Sequence, residues 1–248
     1  MDWLQKVYNW SATRHFLGTC ALCGGDLGIG SADAISVGGQ RHGSGTALCP
    51  GCRADLPDLG PACGRCATPL PFPGTCGPCL RRPPFHDAAL AAFHYESPLS
   101  DLLIDLKFHG RLALARTLGE LLAARLEEAD VARPGLIVPV PLHPQRLRER
   151  GYNQALELAR PVARRLGVPL APELGVRLRA TASQANLDPQ ARRRNVRGAF
   201  GVQGIAPASI AIVDDVITTG STVAAFAKAL RRAGARHIQV WAMARAGH

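Results

Sequence analysis

The chain has 248 residues, 47% of them hydrophobic, and a formal net charge of +10. A chain of this size and hydrophobicity can bury a core, which excludes disorder over its whole length, a collagen and a coiled coil. No apolar run approaches the roughly 20 residues that a membrane-spanning helix needs. The first six residues lack the basic start and apolar run of a secretory signal. We therefore expect a cytoplasmic protein without membrane insertion.

Residues 1–16 form the first predicted element. Trp3, Leu4, Val7 and Trp10 recur at helical spacing, which predicts a short amphipathic helix. We expect this segment to pack on the protein's own surface, with docking to a partner as the alternative.

Residues 17–84 carry all eight cysteines, each within a Cys-x-x-Cys pair. They are Cys20, Cys23, Cys49, Cys52, Cys63, Cys66, Cys76 and Cys79. Two intervening residues let both sulfurs approach one ion, and cytosolic thiols stay reduced, so structural zinc is favoured over disulfides or redox-active dithiols. Neighbouring pairs would close two zinc sites, although an interleaved pairing stays open. We expect this double zinc ribbon to fold as a unit separate from the rest of the chain.

Residues 85–248 alternate between strand-like and helix-like patterns. Strands are predicted at 88–95, 136–140, 209–213 and 237–242, and helices at 99–108, 112–128, 153–166 and 221–233. This alternation is typical of an α/β domain with a parallel sheet covered by helices on both faces. Its basic charge is concentrated between residues 133 and 200, where thirteen arginines face four acidic residues. An anionic ligand is therefore expected in that region.

The most informative motif runs from Ile210 to Thr222. A buried strand delivers Asp214 and Asp215 at its carboxyl end, where open α/β sheets bind ligands. The next residues, Thr218, Thr219, Gly220, Ser221 and Thr222, open a helix. Free amides, hydroxyls and the helix dipole at such a turn favour a phosphate. Two carboxylates suit the hydroxyls of a sugar, so we expect both to face the mouth of a sugar-phosphate pocket.

This motif resembles the phosphoribosyl pyrophosphate (PRPP) motif of type I phosphoribosyltransferases. The resemblance implies a phosphoribosyltransferase-like parallel sheet with helices on both faces, preceded by the small zinc-ribbon domain. By that resemblance, Asp214 and Asp215 would hold the ribose hydroxyls, and residues 218–222 the 5′-phosphate. Mg²⁺ would accompany PRPP.

Further motifs resemble those of the competence protein F (ComF) family, including its GntX-like members. They are Leu106-Lys107-Phe108, Val138-Pro139-Val140-Pro141, Arg150-Gly151-Tyr152-Asn153-Gln154, the Arg177-x-Arg179-x-Thr181-x-x-Gln184 segment and Arg192-x-x-Asn195. The resemblance implies pyrophosphate or flap contacts from nine of these or neighbouring residues: Lys107, Pro139, Val140, Arg146, Arg150, Arg177, Arg179, Gln184 and Arg192. A solvated arginine surface is the alternative for the segment between Arg177 and Phe200.

The family resemblance also implies a function. It points to a PRPP-binding, phosphoribosyltransferase-like protein that supports natural transformation by handling imported single-stranded DNA, with a competence helicase as a partner. No residue stands out as a catalytic base, and the acceptor is unidentified. The alternative is a non-catalytic zinc-ribbon protein that binds single-stranded nucleic acid and keeps a PRPP-sensing or vestigial pocket.

Overall fold

A computed structural model describes residues 19–25, 27, 48–180 and 194–247 of the chain. Its main sheet has four parallel strands in the order β1-β6-β5-β2. They are β1 (Ala88–His94), β2 (Leu136–Pro139), β5 (Ser209–Ile217) and β6 (His237–Arg245). Two short strands, β3 (Gly175–Arg177) and β4 (Phe200–Val202), pair antiparallel beside it.

Four longer helices accompany the sheet. They are α3 (Leu99–Phe108), α4 (Ala113–Glu128), α6 (Gln154–Leu166) and α7 (Ser221–Arg232). Three short helices are α1 (Pro50–Ala54), α2 (Gly77–Arg81) and α5 (Pro144–Arg150). No helix among the described residues is long and apolar enough to cross a bilayer.

The sheet has a hydrophobic core on each face, which confirms the predicted fold class. Successive side chains of β5 alternate between the two faces, as in any strand. Ile210 and Ile212 pack with Phe226 of α7, whereas Ala211 and Val213 pack with residues of α4 and α6 such as Leu158. Helices therefore cover both faces.

The cysteine segment packs directly on this sheet domain. Leu56 lies in the core beneath α4 and α6, and Ala67 in the core on the other face. The backbone also joins the two parts, since Ala89 N donates to Gly64 O at 2.9 Å. β1 lies at the edge of the sheet, and the cysteine segment covers its free backbone groups, as edge strands require. The cysteine segment therefore packs against the sheet domain, and its folding as a separate unit stays a prediction.

Three sequence predictions fall outside the described residues. These are the helix within residues 1–16 and the flap contacts of Gln184 and Arg192.

Candidate functional site

The acid pair lies within β5, which runs four residues past its predicted end. Asp214 and Asp215 start from opposite faces of the strand, yet their side chains interact with each other. Asp215 turns toward α3, where its Oδ2 lies 2.7 Å from Lys107 Nζ, and its side chain is only 13% exposed. Asp214 lines a groove beside the following loop. Asp215 thus faces Lys107, which lines a cleft of its own, and the expectation that both carboxylates face a pocket mouth stays a prediction.

The two carboxyl groups also differ in charge. Burial, helped by the neighbouring negative charge of Asp215, raises the pKa of Asp214 to about 8. Burial acts on Asp215 as well, but the Lys107 ammonium outweighs it and lowers the pKa of Asp215 below its ordinary value. The pKa of Lys107 is raised, chiefly by Asp215. At neutral pH the pair thus combines an ionised Asp215 with a largely protonated Asp214, which can donate a hydrogen bond.

The loop after β5 forms the opposite wall of the groove. Gly220 has φ +71° and is the N-cap of α7, a conformation that glycine adopts at no steric cost. Thr219 Oγ1 lies 2.7 Å from Ser221 Oγ, which brings two hydroxyls together at the start of the helix. The groove is lined by Asp214, Val216, Ile217, Thr218, Gly220, Ser221, Thr222 and Val223. Hydroxyls, amides and a helix N-terminus are suited to a phosphate group.

A second, open cleft of about 330 Å³ lies on the Lys107 side of the acid pair. It is lined by Lys107, Phe108, Gly110, Arg146, Glu149, Arg150 and Tyr152. The Arg150 guanidinium sits 5.3 Å from the centre of the Phe108 ring and donates to Gln154 Oε1 at 2.7 Å. Burial lowers the pKa of Arg150, whereas Arg146 is half exposed beside Glu149. Three cationic side chains therefore line one cleft.

The residues around Arg150 build the wall of this cleft. Gly151, with φ +84°, ends α5, and Tyr152 OH donates to Leu106 O. Asn153 accepts from Ala155 N at 3.1 Å, which caps α6, and donates to Val140 O at 3.0 Å. Much of the Arg150–Gln154 motif thus has a structural role: it fixes α5 against β2 and α3.

Pro139 and Val140 bring the end of β2 next to the acid pair. Pro139 ends the strand, and Val140 N donates to Val213 O at 2.9 Å, one residue before Asp214. Both residues are buried. They therefore shape the backbone between the acid pair and α5.

The predicted flap, between Arg177 and Phe200, begins at the end of β3 and ends at the start of β4. Arg177 Cζ lies 5.2 Å from the centre of the Phe200 ring, and its pKa is lowered by burial while Asp214 opposes that shift. Arg179 is exposed and donates to Arg197 O. Arg177 thus lies on the Asp214 side of the site, and Arg179 supports the base of the β3–β4 ribbon.

The eight cysteines, all free thiols, form two groups of four in the arrangement that neighbouring pairs would give. These are Cys20, Cys23, Cys49 and Cys52, and Cys63, Cys66, Cys76 and Cys79. Within each group the sulfurs lie within 4.8 Å of one another. Cys23 Sγ is 3.9 Å from Cys49 Sγ, and Cys66 Sγ is 3.6 Å from Cys76 Sγ. Tetrahedral zinc with Zn–S bonds near 2.3 Å places sulfurs about 3.8 Å apart.

Backbone amides surround these sulfurs. Cys49 N donates to Cys20 Sγ and Cys76 N to Cys63 Sγ, each at 3.3 Å. Burial opposes ionisation, but such donors lower the pKa of Cys20 and of Cys63 to about 6. Both groups therefore have the donor set, spacing and hydrogen bonding of structural zinc sites.

Sequence reasoning missed two residues that connect these parts. Arg245 contacts both Thr218, in the loop after β5, and Thr68, which lies beside Cys66. Arg245 follows an apolar strand and Thr68 follows a cysteine pair, so neither position belongs to a recognisable motif. Only the tertiary structure joins two residues so far apart in the chain.

Comparison with known proteins gives a consistent result, although no family model matches the chain. "Competence protein F" of Haemophilus influenzae is 36% identical over 221 residues, 86% of this chain and 96% of that protein. "DNA utilization protein YhgH" of Salmonella typhimurium is 38% identical over 239 residues, 92% of this chain and 97% of that protein. "Competence protein ComFC" of Streptococcus pneumoniae is 27% identical, covering 62% of this chain and 67% of that protein.

Among solved structures, a purine phosphoribosyltransferase from Pyrococcus horikoshii is 20% identical. It covers 53% of this chain and 73% of its own, with a TM-score of 0.33.

The described residues form an α/β protein with a parallel sheet, an acid pair near the end of β5 and an amino-terminal module that holds two groups of four cysteines. The chain belongs to the competence protein F (ComF) family.

Proposed function

We propose that this chain binds PRPP across the carboxyl ends of β2 and β5. The 5′-phosphate would lie on residues 218–222 and the ribose hydroxyls on Asp214 and Asp215. The pyrophosphate would enter the cleft of Lys107, Arg146 and Arg150. The observation that carries this proposal is the position of the acid pair, which lies between a phosphate-type loop and a cationic cleft. A sugar with phosphates at both ends has this arrangement of charges.

The chemistry that this arrangement supports is substitution at the anomeric carbon of PRPP, in which an acceptor nucleophile forms a bond to that carbon as the bond to pyrophosphate breaks. Arg146 and Arg150 would neutralise the leaving group, because guanidinium groups can grip phosphate oxygens bidentately. Asp215 would be freed from Lys107 to accept hydrogen bonds from the ribose, and Lys107 would turn to the pyrophosphate. Mg²⁺ bound with PRPP would supply further neutralisation, and carboxylate oxygens are ligands that it accepts.

Each four-cysteine group is proposed to hold one structural zinc ion. All four donors of each group are thiols, so no coordination position is left for substrate. The reducing cytoplasm is the compartment in which such thiols persist.

Calorimetric titration of PRPP with Mg²⁺ tests the pocket. The variant Asp214→Ala/Asp215→Ala removes both carboxyl groups but leaves Gly220 and the loop amides in place. Its affinity for PRPP should fall by about 2 to 4 kcal/mol, as expected for the loss of one charge-assisted and one neutral hydrogen bond. Inorganic phosphate should bind as it does to the wild type.

Asp130→Asn is the control for this titration. Asp130 is an exposed aspartate in the segment that leads to the amino end of β2, whereas the acid pair lies toward the carboxyl end of β5. It should bind PRPP like the wild type. Equal PRPP affinity in the double variant and the wild type would contradict the pocket assignment and favour the vestigial-pocket alternative.

A role with single-stranded DNA is the second proposed function, in keeping with the names of the relatives. The supporting observation is a set of exposed arginines that form no ion pair with any described residue. They are Arg133, Arg148, Arg179, Arg194 and Arg197. By contrast, exposed Arg160 and Arg164 of α6 are paired with Glu157 and Glu120. Unpaired guanidinium groups are available to contact phosphates; a helicase partner stays a proposal from the family resemblance.

Salt dependence of oligonucleotide binding tests this role. The logarithm of the affinity should fall linearly with the logarithm of salt concentration, by about 0.7 for each phosphate contacted. Arg194→Gln/Arg197→Gln should flatten that slope, whereas Arg160→Gln/Arg164→Gln should not. A slope near zero in the wild type would mean that the arginines are only a solvated surface.

A further inference from the structure

Arg245, at the end of β6, lies between the second cysteine group and the phosphate loop. Its Nη1 donates to Ile217 O at 3.1 Å and also to the carbonyl oxygens of Thr218 and Ala246. Its Nη2 donates to Thr68 Oγ1 at 2.9 Å. Among the residues that the structure describes, no carboxylate forms an ion pair with this half-buried guanidinium. Burial lowers the pKa of Arg245, and the nearby Cys66 and Cys76 of the second group oppose that shift.

At the loop, Arg245 determines which way two peptide groups point. In a trans peptide the C=O and the following N–H point in opposite directions. Arg245 holds the carbonyls of Ile217 and Thr218 toward itself, so the N–H groups of Thr218 and Thr219 point away from it. A loop whose amides are already oriented can bind an anion without a further ordering cost.

On the side of the cysteine segment, Thr68 connects Arg245 to Cys66. Thr68 Oγ1 lies 3.2 Å from Cys66 Sγ. A threonine hydroxyl has one donor and two acceptor positions. When Cys66 is a thiolate bound to metal, this hydroxyl can donate to the sulfur and accept from Arg245 at the same time. Thr68 then acts as the kind of outer-shell partner that orients a metal ligand.

We propose that Arg245 is a positioning residue for the phosphate loop, and that the second cysteine group holds it in place through Thr68. The affinity for PRPP then depends on a metal site that contacts no part of the ligand. This inference rests on the proposed PRPP function, but the orientation of the loop can be measured without PRPP.

Three variants of the full-length protein test the connection through threonine. Thr68→Val keeps the size of the side chain and removes its hydroxyl, whereas Thr68→Ser keeps the hydroxyl. Thr19→Val removes a threonine hydroxyl next to Cys20 of the first group and serves as the matched control. For each protein we would measure zinc per chain, hydrogen exchange of residues 217–222 without ligand, and PRPP affinity.

The wild type and all three variants should contain two zinc ions per chain. In Thr68→Val, the amides of residues 217–222 should exchange faster and PRPP should bind about tenfold more weakly. Tenfold is the smallest loss that is typical when a group hydrogen-bonded to a metal ligand is replaced. Thr68→Ser and Thr19→Val should match the wild type. Unchanged exchange at the loop in Thr68→Val would overturn the inference.

Arg245→Lys provides a second test that leaves the cysteine group and Thr68 intact. One ammonium group cannot reach the loop carbonyls and Thr68 together with the geometry of a guanidinium. The variant should keep both zinc ions and loosen the loop as Thr68→Val does; loop exchange like that of the wild type would contradict the proposal. If the wild type itself binds no PRPP, the proposed function fails, while the exchange data still decide the role of Arg245.

Discussion

The two adjacent carboxylates of the site are chemically unequal. Alternation along β5 directs Asp215 to the Lys107 ammonium, while Asp214 lies in the groove by the phosphate loop. One carboxyl group is therefore ionised and the other holds its proton to higher pH. Two consecutive acids in a sequence reveal neither the ion pair nor the difference in pKa, because burial and the position of Lys107 depend on the tertiary structure.

The pKa of Asp214 makes stability depend on pH. It lies at about 8 in the folded protein against an ordinary value of 3.8. Between these values the unfolded chain loses the proton that the folded protein retains, so stability falls as pH rises. From pH 5 to pH 8 this group removes on the order of 3 kcal/mol. Asp214→Asn should abolish that fall, as measured by urea denaturation at both pH values.

Other groups also titrate in this window, since the lowered pKa values of Cys20, Cys63 and His86 make stability rise with pH. These groups are common to the wild type and Asp214→Asn, so the test is the difference between the two proteins. The lowered pKa of Asp215 gives stability that is present above its ordinary pKa and is lost in acid, below the window. Asp130→Asn should follow the wild type at both pH values. An Asp214→Asn protein whose stability changes from pH 5 to pH 8 as that of the wild type does would refute the assignment.

At the scale of elements, apolar periodicity was sufficient to predict most of the sheet domain. The strand and helix patterns predicted α3 with its observed bounds and the other long helices and main-sheet strands to within four residues, but they did not predict α5, β3 or β4. β5 is longer than predicted because Val216 and Ile217 pair with Ala244 and Arg245 of β6. Such pairing extends a strand beyond its apolar run.

In the cysteine segment, the sequence predicted the two cysteine groups but not the contacts of the segment with the sheet domain. The Cys-x-x-Cys spacing indicated two groups of four, which the structure contains. The packing of Leu56 and Ala67 into the two cores depends on covering the edge of β1, a tertiary requirement without a local signal. The contact between Thr68 and Arg245 joins residues 177 positions apart.

At the scale of the whole molecule, the cysteine module and the sheet domain act as one structure. The module covers the edge of β1, and Arg245 connects its second group to the loop that opens α7. A metal site of this kind can stabilise a binding pocket without contacting the ligand. This differs from a ribbon appended for nucleic-acid contact alone.

PRPP is proposed to bind with its 5′-phosphate at the start of α7 and its pyrophosphate in the cationic cleft. A crystal structure of the zinc-loaded protein with Mg²⁺ and PRPP tests it most directly. We expect the 5′-phosphate within hydrogen-bond distance of residues 218–222, the ribose at Asp214 and Asp215, and the pyrophosphate beside Arg146 and Arg150. PRPP bound in the reverse direction, or bound away from the acid pair, would contradict the account.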